Sequence, residues 1–387
     1  MLTKNISFKN ISIKIDNSQV NKNLKFLLKE SLPLLDSLKK SYKYSYSKKL
    51  VLELKKFSNI RIIAMGGSAL GANAIYSFLR NKIKKKFFFV NNLNINSNYF
   101  LNKKKTKNLN LIISKSGNTL ETIINANILI KKNDRNIFIT EKKNNYLRNM
   151  GLQMKAEILE HKNFIGGRYS VLSEVGMLPA ELMGLDEKKF KQLNYLINNK
   201  TFIHNLINNV SSTLAMLKEK KSTSIILNYD EQSEDLFKWY QQLIAESLGK
   251  KSKGILPVIS SMPADNHSLM QFYLDGPKNN FFTFFSVKEQ NTKKINNNTI
   301  LPSHHYLINK DIYKIMTSQR QATETVFKKK KIPFRSFEIL RRDEKTLGEL
   351  FCFFILETIL LGRALNVNPF DQPSVELIKI ETKKLLI

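Results

Sequence analysis

The sequence predicts an α/β protein with two three-layer αβα domains, each built on a mainly parallel sheet, followed by a C-terminal helical arm. Apolar strands alternate with helical segments in the first half of the chain, and the pattern returns less clearly in the second half. The length of 387 residues is too great for one small core and favours two domains. We place the two domains at residues 1–195 and 196–345, and the arm at residues 346–387.

Four predicted strands define the first domain: RIIAM (61–65), FFFV (87–90), NLIIS (110–114) and NIFIT (136–140). Helices are predicted from about Ala72 and through ETIINANILI (121–130). Sheets of this kind bind ligands at the carboxyl ends of their strands, where the intervening loops meet. The first sixteen residues alternate like an early strand and lack the continuous apolar core of a secretion signal.

The second domain is predicted from three strands, TSIILNY (223–229), FFTFFSV (281–287) and FRSFEIL (334–340), and from a helix that starts near Ser233. The segment KEQNTKKINNNTI (288–300) is predicted to be a polar surface loop. The apolar stretch 347–365 contains two glutamates and an arginine, which would be costly in lipid, so we expect a buried helix there. The chain then breaks at Asn368–Pro369 and ends in an amphipathic helix (374–386).

The formal net charge of +31 permits nucleic-acid or membrane binding, but the lysines are spread along the whole chain. No helix-turn-helix, zinc knuckle or aromatic basic groove stands out, so a solvated surface is the favoured interpretation, with no specific nucleic-acid or membrane partner. Cys352 is the only cysteine, which excludes an intrachain disulfide and favours a reducing, cytoplasmic location. The five histidines lack the spacing of a metal site, so neither a metal nor a cofactor is expected.

The loop from Ser114 to Thr119 leaves a predicted strand and opens a helix. It offers three hydroxyls, from Ser114, Ser116 and Thr119, and several unpaired backbone N–H groups at a helix N-terminus. Helix capping alone would also favour such residues. Three hydroxyls around one glycine exceed what capping needs, so we predict a phosphate site.

Two further glycine loops are weaker signals. GGSALG (66–71) does not match the dinucleotide-binding pattern, and either a sugar-contacting loop or tight strand-to-helix packing would explain it. GGRYS (166–170) places Arg168 after two glycines, where the guanidinium could stabilise an oxyanion or simply form a surface ion pair.

Gln242 and Glu246 lie four residues apart and therefore on one face of a predicted helix. Taken singly, Glu246, His267 and Lys379 are more typical of structural residues than of catalytic ones.

Together these segments resemble a known family. SKSGNTLET (114–122) resembles the phosphosugar signature of the sugar isomerase (SIS) fold. Five more segments follow the pattern of the glucose-6-phosphate isomerase family: GGSALG, GGRYSVLSEVGMLP (166–179), QQLIAESLGK (241–250), DNHSLMQFYLDG (265–276) and NPFDQPSVELIK (368–379). These motifs span nearly the whole chain, and the last four in this order are quite specific. The resemblance implies SIS-type domains and reversible interconversion of glucose 6-phosphate and fructose 6-phosphate through a cis-enediol(ate), in glycolysis and gluconeogenesis.

The resemblance also assigns roles to residues. Ser114, Ser116 and Thr119, with the backbone at Lys115, would hold the phosphate, and Gly67 and Ser68 would border the sugar. Glu246 would move the proton between C2 and C1, and Arg168 would stabilise the enediol(ate). His267 and Lys379 would assist ring opening, and Gln242 and Gln372 would position the ligand. The family's histidine comes from the neighbouring subunit, which implies a homodimer with shared active sites.

Other functions stay open at this point. The chain is short for the family, and the stretch 250–263 is abbreviated. GGSALG with its preceding methionine also resembles bifunctional phosphoglucose/phosphomannose isomerases. A non-catalytic SIS-fold sensor of sugar phosphates would keep the phosphate loop and lose the base. A nucleic-acid-binding protein driven by its charge is the third alternative.

Overall fold

The computed structural model describes residues 1–30, 32–94, 108–289 and 292–387. Over these residues the strands are β1 (Ile6–Lys9), β2 (Asn59–Ala64), β3 (Lys86–Val90), β4 (Leu109–Ile113), β5 (Arg135–Thr140), β6 (Glu157–Glu160), β7 (Thr223–Asn228), β8 (Leu256–Ser261), β9 (Asn280–Val287) and β10 (Phe334–Ile339).

The α-helices over the same residues are α1 (Ser18–Lys29), α2 (Pro33–Asp36), α3 (Lys48–Leu54), α4 (Gly67–Phe78), α5 (Leu120–Leu129), α6 (Tyr146–Gln153), α7 (Glu174–Leu182), α8 (Glu187–Phe190), α9 (Leu193–Ile197), α10 (Lys200–Lys218), α11 (Glu234–Leu248), α12 (Met270–Asp275), α13 (Ile312–Lys329), α14 (Glu344–Ala364) and α15 (Val375–Leu385). Two 3₁₀-helices, Gly167–Leu172 and Ala264–His267, carry residues of the predicted site.

The first sheet has the strand order β3-β2-β4-β5-β6, and every pair is parallel. β4 is buried along its whole length, as expected for a strand covered by helices on both faces. After β2 the chain crosses first to β3 on one side and later to β4 on the other. The point where the strand order reverses therefore lies between β2 and β4. The two predicted ligand loops leave these two strands at that point.

The second sheet has the order β1-β10-β9-β7-β8. Its pairs are parallel except for β1, which runs antiparallel to β10. The prediction of an α/β fold with mainly parallel sheets is confirmed. The N-terminal strand, however, hydrogen-bonds into the second sheet, although the sequence prediction groups it with residues 1–195. The domain boundaries stay a prediction.

The predicted C-terminal arm contains two very different helices. α14 is buried along nearly all of its length and lies in the core, where Glu357 forms an ion pair with Arg335 and accepts a hydrogen bond from Tyr240. α15 has no buried residue. Across the part of the chain that the structure describes, no helix combines the length and apolarity needed to cross a bilayer.

Several elements differ from the sequence prediction. The helix expected from about Ala72 starts at Gly67. β6, β8 and α13 were not predicted. Of the predicted loop 288–300, residues Gln290 and Asn291 lie outside the described residues.

Candidate functional site

The predicted phosphate loop joins the end of β4 to the start of α5. Ser114 is buried, and its Oγ lies 2.8 Å from Thr119 Oγ1. The Gly117 N–H donates to Ser114 Oγ over 3.2 Å, and the Asn118 N–H donates to Ser116 Oγ over 3.3 Å. Thr119 occupies the N-cap position, but its side chain does not cap α5. The first-turn N–H groups of α5 are thus left for a ligand.

Gly117 makes the tight turn of this loop possible. Its φ of +66° is a conformation that side-chain-bearing residues rarely adopt. A Cβ there would lie 1.8 Å from Asn145 Oδ1. The loop is therefore held against the N-terminus of α6, whose N-cap is Asn145.

Lys115 brings positive charge to the same loop. Its Nζ donates to the Asn163 carbonyl over 2.7 Å and lies 3.6 Å from Glu141. Burial lowers the pKa of Lys115; Glu141 opposes this effect, and the positive charge of Arg168 adds to it. An anion bound at this loop would relieve the repulsion between the Lys115 and Arg168 charges.

The loop GGSALG (66–71) packs directly on the turn GGRYS (166–170). A Cβ on Gly67 would lie 2.3 Å from the carbonyl carbon of Gly167 and 2.4 Å from the Arg168 nitrogen. One on Gly66 would lie 3.0 Å from Gln242 Nε2. Ser68 follows in the first turn of α4 and is buried. The absence of side chains at this contact lets β2, the Arg168 turn and α11 meet.

Glu246 and Gln242 occupy one face of α11, one turn apart. Gln242 Nε2 donates to Glu246 Oε2 over 2.8 Å. Arg168 Nη1 donates to Glu246 Oε1 over 2.8 Å and to Gln372 Oε1 over 2.9 Å. The Arg168 side chain is 2% exposed, whereas that of Glu246 is 27% exposed. A buried cation is thus held beside a carboxylate that solvent or a ligand can reach.

Two predicted site residues lie apart from this cluster. His267 is exposed at the end of the 3₁₀-helix Ala264–His267. Lys379 is exposed on α15, and its Nζ donates to Glu376 Oε1 over 2.6 Å. A single copy of the chain therefore joins Gly67, Arg168, Gln242, Glu246 and Gln372, but not these two.

The sequence prediction omitted residues that surround Arg168. Arg168 Nε donates to Ser247 Oγ over 2.8 Å, and Nη2 donates to the carbonyls of Pro369 and Asp371 over 2.8 and 3.0 Å. Ser247 directly follows the predicted base, and the two carbonyls belong to residues three and one positions before Gln372. Ser247, Pro369 and Asp371 all lie within the family motifs, next to or near predicted site residues, and this position was the available signal. A backbone carbonyl, however, cannot be predicted from residue type, because every residue has one.

Comparison with known proteins places this site in a family. The sequence matches the phosphoglucose isomerase family over residues 34–386. It is 32% identical over 352 residues to glucose-6-phosphate isomerase of Methanocaldococcus jannaschii, covering 86% of this chain and 84% of that protein.

Two solved structures share the fold. A hypothetical protein from Thermus thermophilus superposes with a TM-score of 0.81 at 22% identity, over 95% of this chain and 94% of that one. A glucose-6-phosphate isomerase from Chlamydia trachomatis superposes with a TM-score of 0.71 at 15% identity, over 99% of this chain and 89% of that one. The resemblance found in the sequence motifs is thereby confirmed: the chain belongs to the phosphoglucose isomerase family.

Proposed function

We propose that this protein is a glucose-6-phosphate isomerase that interconverts glucose 6-phosphate and fructose 6-phosphate through a cis-enediol(ate). Family membership and the Methanocaldococcus jannaschii relative, which carries this name, support the reaction. The observation that carries the chemistry is the 2.8 Å contact between buried Arg168 and partly exposed Glu246. A carboxylate to move the proton and a cation to hold the oxyanion are the two groups that the reaction needs.

In this proposal the phosphate is held by the hydroxyls of Ser114, Ser116 and Thr119, the backbone at Lys115 and the first-turn N–H groups of α5. The helix N-terminus and the Lys115 ammonium both favour a dianion. Since the phosphate is remote from C1 and C2, its binding energy can serve to orient the reacting carbons. Gly67 and Ser68 then border the sugar.

Glu246 takes the proton from one carbon and returns it to the neighbouring one. Gln242 orients the carboxylate by its 2.8 Å hydrogen bond to Oε2. Proton removal next to a carbonyl places negative charge on the substrate oxygen, and the buried guanidinium of Arg168 neutralises that charge. Gln372, which shares Arg168 Nη1 with Glu246, positions the ligand.

His267 and Lys379 act in ring opening, at the ring oxygen and the anomeric hydroxyl. Both are exposed, and α15 carries uncovered apolar side chains such as Leu377 and Ile378. We propose that a homodimer covers these surfaces and that His267 enters the site of the partner subunit. The protein is proposed to act in the cytoplasm on hexose phosphates.

The proposal is tested with purified protein and fructose 6-phosphate, by following the appearance of glucose 6-phosphate. Mannose 6-phosphate is supplied in a parallel reaction to detect a second isomerase activity. Size-exclusion chromatography with light scattering measures the oligomeric state. Fructose 6-phosphate binding without turnover would refute the isomerase and leave a sugar-phosphate sensor.

A further inference from the structure

Within the described residues, every hydrogen-bond donor of the Arg168 guanidinium has an acceptor. A guanidinium carries five N–H groups. Nε donates to Ser247 Oγ, Nη1 to Glu246 Oε1 and Gln372 Oε1, and Nη2 to the carbonyls of Pro369 and Asp371. Five donors meet five acceptors, so a substrate oxygen can bind Arg168 only by replacing one of them.

The five acceptors are not equally replaceable. Glu246 and Gln372 are side chains of the proposed site, and both bind Nη1. The other three form a rigid set around Nε and Nη2, which we call the arginine cradle: Ser247 Oγ, the Pro369 carbonyl and the Asp371 carbonyl. Ser247 is fully buried, and its Oγ lies 2.9 Å from the Tyr169 hydroxyl, which donates to the Pro369 carbonyl over 3.0 Å. Nη1 is therefore the nitrogen whose present acceptors a substrate oxygen can replace.

Lys250 connects the arginine cradle to the C-terminal end of α11, the helix that carries Glu246. Its Nζ lies 2.8 Å from Asp371 Oδ1 and donates to the Asn368 carbonyl. The hydrogen bond from Lys250 is the main reason why the pKa of Asp371 is lowered. Asn368 Nδ2 closes the loop by donating to Asp371 Oδ2 over 3.0 Å. The loop that supplies two carbonyls of the cradle is thus clamped to a residue two positions beyond the end of α11.

We propose that Ser247 and Lys250 are positioning residues for the isomerisation. Ser247 holds Arg168 directly, and Lys250 holds it through the loop 368–371. Together they fix the planar guanidinium through Nε and Nη2, so that Nη1 stays in place and the substrate oxygen replaces Glu246 or Gln372 as its acceptor when negative charge develops there. This inference rests on the proposed function, because it assumes that Arg168 binds that oxygen.

The test of Ser247 is a double-mutant cycle with Arg168. Ser247→Ala should lower kcat about 10-fold and change KM less than about twofold, because the misplaced guanidinium matters most in the transition state. In an Arg168→Lys background the same change should cost less than about twofold, since lysine has no Nε–H for the hydroxyl to hold. Ser212→Ala removes another buried hydroxyl, which donates to the Asn208 carbonyl, and should leave kcat unchanged.

The outcomes distinguish a failure of the positioning role of Ser247 from a failure of the proposed role of Arg168. An equal loss from Ser247→Ala in both backgrounds would show a structural role and overturn the positioning. Full kcat/KM in Arg168→Lys would remove Arg168 from the reaction, and both the oxyanion role and this inference would fall.

Lys250 has a matched control three residues away. Lys253 Nζ donates to the Leu365 carbonyl over 2.9 Å, outside the loop 368–371. Lys250→Met should lower kcat about 5- to 10-fold, Lys250→Arg should restore part of that loss, and Lys253→Met should stay within about twofold of the parent. Asp371→Asn, which keeps its carbonyl and removes the charge, provides a second route if Lys250→Met fails to fold. Equal kcat in Lys250→Met, Asp371→Asn and the control would overturn the role of Lys250.

Discussion

The contact between Gly67 and the Arg168 turn leads to the sharpest prediction. In Gly67→Ala the new Cβ would lie 2.3 Å from the Gly167 carbonyl carbon, 2.4 Å from the Arg168 nitrogen and 2.5 Å from the Gly167 oxygen. Ordinary contacts of a Cβ begin at 3.4 Å. All three neighbours are backbone atoms, so no side chain can rotate away. α4 and the Arg168 turn must therefore separate by about 1 Å.

A shift of this size acts on both stability and turnover. Overpacking of a buried contact costs about 1–3 kcal/mol in the free energy of unfolding. Moving Arg168 by about 1 Å would stretch its 2.8 Å bond to Glu246 beyond hydrogen-bond range, and misplacement of this size can cost about 10²-fold in rate. We expect a kcat reduced by about 10²-fold.

The assay is fructose 6-phosphate turnover at saturating substrate, combined with urea unfolding of the same preparations. Gly166→Ala is the control, because its Cβ would meet Tyr169 Cδ2 at an ordinary 3.4 Å and its φ of −67° suits alanine. A Gly67→Ala protein that keeps kcat within about threefold of the parent would refute the idea that this backbone contact sets the position of Arg168.

Four further predictions follow from the site. Glu246→Gln should lower kcat at least roughly 10²-fold with a modest change in KM, because an amide cannot accept the proton; steady-state kinetics showing half the parent turnover would exclude Glu246 as the base. Arg168→Lys should lower kcat/KM, since an ammonium does not replace a planar fork, and unchanged kcat/KM would exclude the oxyanion role. Gly117→Ala should lower the free energy of unfolding by about 1–3 kcal/mol, because φ is +66° and the new Cβ would strike Asn145; an unchanged urea midpoint would contradict this. Burial lowers the pKa of His161 from 6.5 to about 4, so the unfolded chain binds more protons between these values, and stability present above pH 6.5 is lost as the pH falls towards 4. The loss at pH 5 is about 2 kcal/mol, and urea unfolding of His161→Gln should not show it.

The strands that the sequence predicted are those with continuous apolar runs. β2, β4 and β5 are buried along nearly their whole length, which requires such runs. β6 has only one buried residue among its four, and β8 contains a proline and two serines. Neither carries a pattern strong enough to separate it from a loop. Pairing with a neighbouring strand, and not local sequence, determines these two elements.

The start of α4 shows a different limit of sequence reasoning. The glycines of GGSALG disfavour a helix by propensity, which is why the prediction began near Ala72. The helix nevertheless starts at Gly67. Position 67 must be a glycine, because only a residue without a side chain can lie against the Gly167 carbonyl. The same glycine that weakens the local signal is thus required by the tertiary contact.

Residue spacing predicted that Gln242 and Glu246 share one helix face, whereas the proposed roles of the site residues came from the family resemblance. The four-residue spacing of Gln242 and Glu246 gives the observed 2.8 Å hydrogen bond because helical geometry determines it. The cradle around Arg168 could not be predicted in this way. Two of its three acceptors are main-chain carbonyls of Pro369 and Asp371, and any residue could supply a carbonyl.

The proposed roles divide between the core and the surface of one chain. Arg168 is buried and hydrogen-bonded through every donor, whereas His267 and Lys379 are exposed, on the 3₁₀-helix Ala264–His267 and on α15. Proton transfer between C2 and C1 needs sub-ångström positioning, which a buried network provides. Ring opening precedes it and acts at the ring oxygen and the anomeric hydroxyl, so its residues can come from exposed elements that a second subunit covers. A monomer would then retain the base and its arginine in working geometry and lose chiefly the ability to open cyclic substrates.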